Sequence, residues 1–168
     1  MMTIQARETF IPHYGAAHPL RVYPINSPRA KARLIALALL ADGKLAREEL
    51  EVLGESECYW ALGISRQVFF EVMADFCTDL ASLPVGEGGY QLTPATLEGL
   101  LAEVRSPAAR RAVIGLMLDV IFSDGKLDTH EHRLLRQALD TWNIRLADSA
   151  SQSPLHRHAP EGPEHYYG

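Results

Sequence analysis

The sequence predicts an all-α fold: a compact helical bundle of about six to seven helices built from two pseudo-symmetric helical hairpins. Three observations lead there. A stretch around an Asp-Gly-Lys-Leu motif occurs twice, helix-start signals recur along the chain, and strand patterning is sparse. The 168 residues suit one domain with room for tails. A chain of this size buries roughly 68–70% of its unfolded surface, so it needs no metal or disulfide staple to fold. A hydrophobic fraction of 47% with 22% charged residues is ordinary globular composition.

The elements follow in order. Ser27-Pro28, Thr93-Pro94 and Ser106-Pro107 each set a capping hydroxyl before a proline at the first helical position, and Ser65 caps a further start after Gly63. The resulting helices run about Pro28–Ala41, Ala46–Leu62, Ser65–Leu83, Pro94–Glu103, Pro107–Ser123 and Thr129–Trp142. Val68, Phe69, Val72, Met73, Phe76 and Leu80 recur at helical spacing in the third, as do Val113, Leu116, Met117, Val120 and Ile121 in the fifth. Leu62-Gly63-Ile64 and Trp142-Asn143-Ile144 each place a residue tolerant of left-handed backbone before an isoleucine, the signature of a helix end that folds back on its last turn. Only Leu20–Ile25 and the Gly-rich loop Val85–Leu92 could be extended. The expected organisation is an N-terminal arm over residues 1–26, poorly ordered or extended, a helical domain over 27–146, and a flexible Ser-, His- and Pro-rich tail over 147–168.

The duplication aligns Leu34–Glu55 with Leu116–Gln137. Leu34/Leu116, Asp42/Asp124, Gly43/Gly125, Lys44/Lys126, Leu45/Leu127, Glu49/Glu131 and Leu53/Leu135 are identical, seven pairs in 22. Within each copy the spacing Asp-Gly-x-Leu-x-x-x-Glu matches the second half of a calcium-binding EF-hand loop, where Asp is a ligand, Gly turns the chain and the last Glu is bidentate. The first two ligand positions of such a loop would fall on Ala38 and Leu40, and on Val120 and Phe122, which are apolar; a standard EF-hand is therefore excluded. Two readings stay open. In one, the motif is a tight helix–turn–helix joint: Gly ends a helix, Asp128 with Glu131 forms a capping box, and Leu45 staples onto Leu50. In the other, Asp42, Glu49, Asp124 and Glu131 form a divalent-metal site, because capping does not account for Asp42 with Glu49, where Ala46 is no cap.

The pair LLADGKLAREELEVL and VIFSDGKLDTHEHRLL resembles the TerB-like domains, which include the tellurite-resistance protein TerB and the corresponding domain of DjlA-type membrane-anchored J-proteins. The resemblance covers about Ser27 to Ile144. It implies an all-helical fold of two pseudo-symmetric halves, acidic positions at Asp42, Glu49, Asp124 and Glu131, and a divalent-metal-binding or scaffold role in stress response without established catalysis. The Gly-rich insert near Gly86 and both tails depart from the pattern, and His130 and His132 flank Glu131 where more acid would make a better calcium site.

Charge and motif content narrow the function. The net charge of −5 argues against nonspecific binding to a phosphate backbone, and Glu48, Glu49 and Glu51 make the second helix of the first copy too acidic for a DNA major groove. No apolar run approaches the ~18 residues of a membrane span, and no secretory signal stands at the start. Cys58 and Cys77 lack zinc-ligand spacing and are expected as free core thiols in a reducing cytoplasm. There is no G-x-S-x-G, P-loop, H-E-x-x-H or G-x-G-x-x-G, so no enzyme is expected. Glu71, Asp75 and Asp79 share one helix face, a repulsive spacing that solvent offsets most simply, with a cation or the basic side chains Arg29, Lys31, Arg33, Arg110 and Arg111 as alternatives. The expectation is thus a noncatalytic module that binds Ca²⁺, Mg²⁺ or Mn²⁺ and no organic cofactor. Its partner is another protein, with no nucleic acid and no membrane insertion. The alternatives are a metal-free helical interaction scaffold and, further off, an uncharacterised enzyme.

Overall fold

A computed structural model describes residues 20–41, 51, 53–54, 56–83, 85–86, 89–90, 92–123, 125–126 and 128–146. Its elements are α1 (Pro28–Leu39), α2 (Ser56–Leu62), α3 (Arg66–Ala81), β1 (Val85–Gly86), β2 (Gly89–Tyr90), α4 (Pro94–Leu101), α5 (Pro107–Ile121) and α6 (Thr129–Trp142). The all-helical expectation holds. The Gly-rich loop does more than turn: β1 and β2 form a two-residue antiparallel ladder with Val85 opposite Tyr90.

Local chemistry sets the helix limits. Ser27, Ser65, Thr93 and Ser106 each accept a hydrogen bond from the amide three residues on, and prolines open α1, α4 and α5, where a missing N–H costs nothing. The two predicted fold-back ends are present. Gly63 and Asn143 sit at φ +76° and +52°; Ile64 donates to the Tyr59 carbonyl at 3.1 Å and Ile144 to that of Leu139 at 3.0 Å. Both isoleucines pack back onto the core, completing the Schellman geometry.

Helix α1 is the hub. Nine of its twelve residues are buried, and a helix buried all round must lie inside the bundle. Its small residues Ala30, Ala32, Ala36 and Ala38 let neighbours approach closely on several sides. It contacts α5 and α3 most extensively, and α2 and α4 to a lesser degree; α6 closes over α5 and α4. The Trp142 indole N–H donates to the Leu101 carbonyl at 3.2 Å, so this ring is buried with its polar atom satisfied. The two helices that precede the repeated motif, α1 and α5, are thus direct neighbours in the core.

The segment Leu20–Asn26 crosses the helices as a strap without regular structure and ends in a turn at Ile25–Asn26, where Ser27 donates to the Pro24 carbonyl at 3.0 Å. Leu20 and Tyr23 enter the core while Val22, Pro24 and Ile25 face outward. Residues 1–19 and 147–168, the greater parts of the expected arm and tail, lie outside the described residues.

Candidate functional site

Of the four predicted acidic ligands, Asp42, Glu49 and Asp124 lie outside the described residues, as does Leu45. Glu131 is described, and is buried in the first turn of α6. The expected capping box is formed there. The Asp128 carboxylate accepts from the His130 amide at 2.8 Å and from the amide of Glu131, and the Glu131 carboxylate accepts from the Asp128 amide at 2.9 Å. Gly125, at φ +71°, makes the left-handed turn between α5 and this cap. His130 and His132 are exposed on either side of Glu131. Among the described residues, no group of three or more His, Cys, Asp or Glu side chains converges to hold a metal ion.

The starts of α1 and α5 are held together by a residue just before α1. Asn26, itself left-handed at φ +59°, accepts through Oδ1 from the amides of Arg105 at 2.7 Å and Ser106 at 2.8 Å, and donates its own amide to the Glu103 carbonyl at 2.7 Å. Ser27 caps α1 and Ser106 caps α5. This bracket ties the two helix starts side by side. Helices that begin together and stay in extensive contact run the same way, so the chain leaves α1 at Ala41 and α5 at Ser123 from the same end of the pair.

Beside the bracket lies a buried ionic centre that patterning did not single out. Arg33, 1% exposed on α1, pairs with Glu103 just past α4 and also donates to the carbonyl of Arg21. Its guanidinium lies 4.6 Å from the centre of the Tyr23 ring. Glu103 further accepts from the Tyr23 amide at 3.2 Å. Burial raises the Tyr23 phenol above its ordinary range, with Asp75 adding to the effect.

The acidic face of α3 is not left to solvent, which corrects the simpler expectation. Arg21 bridges Asp75 at 2.6 Å and Asp79 at 3.0 Å, its backbone amide donates to Asp79 at 3.1 Å, and Arg29 pairs with Glu71 at 3.2 Å. Hydrogen bonding to Asp79 is the main reason the Arg21 guanidinium holds its proton even more firmly than usual. Of the basic candidates Arg29 serves this face; Arg33 serves Glu103, and Arg110 donates to the Val104 carbonyl and lies over Trp142. Arg21 was missed because it precedes the helices, beyond any spacing rule. Arg33 and Glu103 carried a legible signal, since each interrupts an apolar stretch on a face that must be buried.

The cysteines differ. Both are free; Cys58 is buried, but Cys77 is exposed on α3, contrary to a core reading of both. Burial pushes the Cys58 thiol up to about 12, with Asp119 adding to the rise. At pH 8, a thiol reagent added to the native chain is expected to modify Cys77 within minutes and leave Cys58 intact until denaturant is added, as peptide mass spectrometry would show.

These features define a class: an all-helical module whose duplicated Asp-Gly joints follow two adjoining core helices. The family model described as tellurite resistance protein TerB matches residues 93–153, from the cap of α4 through α6 and beyond. Over that stretch the chain is similar to TerB-like proteins, and the internal repeat carries the same motif in the first copy. No curated protein and no solved structure matches the chain. Among the described residues, no helix is long and apolar enough to cross a membrane.

Proposed function

We propose that this protein is a noncatalytic, cytoplasmic TerB-like binding module that holds a divalent cation at its paired acidic joints and presents an interaction surface to another protein in a stress response, tellurite resistance being the one the family name suggests. The observation that supports the reading is the Asn26 bracket, which sets the starts of α1 and α5 side by side, so that the chain leaves these helices at Ala41 and Ser123 from one end of the pair. Asp42 follows Ala41 directly in the chain, and Asp124 follows Ser123. Asp42, Glu49, Asp124 and Glu131 would hold the ion, and Glu131 is already fixed at its joint by the cap. Carboxylates gathered there repel one another unless a cation is present. An all-carboxylate donor set favours Ca²⁺, Mg²⁺ or Mn²⁺ over Zn²⁺. The bound ion would supply positive charge that offsets this repulsion and locks the two joints together.

The test is thermal unfolding of chelator-treated protein. A cation at a hundredfold excess over its dissociation constant is expected to stabilise the fold by about 2.7 kcal/mol. The double change Asp42→Asn, Asp124→Asn should remove that response and, without metal, be neutral or stabilising. A second reading has an observation of its own: the Asp128–Glu131 capping box closes its joint without any ion. In that reading the protein is a metal-free helical scaffold, and millimolar Ca²⁺, Mg²⁺ and Mn²⁺ leave the wild-type melting curve unmoved.

A further inference from the structure

We draw no further inference here: the strongest candidate, the surface patch on α2 that centres on Trp60, 83% exposed beside the buried Cys58 and Tyr59, carries no proposal because nothing among the described residues shows what covers it.

Discussion

Glu103→Ala is expected to destabilise the fold by about 3–5 kcal/mol, the cost of leaving one member of a buried ion pair alone. The loss reaches beyond the pair. Glu103 holds Arg33 and the Tyr23 amide together, so its removal strands a buried guanidinium and an amide at once. Arg33 would still hold the Arg21 carbonyl, which is too weak an acceptor to balance a full charge. Replacing both members with apolar residues, Arg33→Met with Glu103→Leu, should recover a large part of the loss, because the desolvation cost of both charges disappears. Urea unfolding of the wild type, the two single variants and the double variant measures this directly. A double variant as unstable as the sum of the singles would show that the two side chains act independently. The result also bears on the strap, since losing Glu103 frees one of the amides that seat it.

Local chemistry made most of the helical framework legible in the sequence. Ser-Pro and Thr-Pro starts, a left-handed residue before isoleucine, and Asp128 with Glu131 are short-range signals, and a short-range signal can be read without knowing the fold. The repeat was legible too, because identical spacing in two places requires no three-dimensional information. What escaped was long-range. The Asn26 side chain reaches Arg105 and Ser106, 79 and 80 residues away, and Arg21 reaches Asp79, 58 residues away. Patterning shows that Arg33 and Glu103 disturb apolar faces but not that they meet. Cys77 was misjudged for a related reason: Phe76 beside it is buried, but adjacent helical residues point about 100° apart, so a buried neighbour does not bury the next residue.

A series at Asn26 should separate the bracket's two contributions. Asn26→Ala loses both hydrogen bonds to the start of α5, each worth about 0.5–1.5 kcal/mol. It also forces a side chain with no local hydrogen bond into left-handed backbone, a further ~1–2 kcal/mol. The expected total is about 2–5 kcal/mol, the sum of these contributions. Asn26→Gly removes the conformational strain but not the lost bonds, and should fall between alanine and wild type. Asn26→Asp keeps an acceptor at both amides and places negative charge beside the N-terminus of α5, where the helix dipole favours it, so it should be near neutral. Thermal melts of the three variants give the order Asp, Gly, Ala from most to least stable. The same series tests whether the bracket serves the acidic joints as well as the fold. If the helix starts set the far ends, Asn26→Ala should reduce the metal-dependent rise in melting temperature more than Asn26→Gly does, while Asn26→Asp retains it. A metal response that stays constant across all three, as stability falls, would show that the joints find one another without the bracket, and that Asn26 contributes to the fold alone.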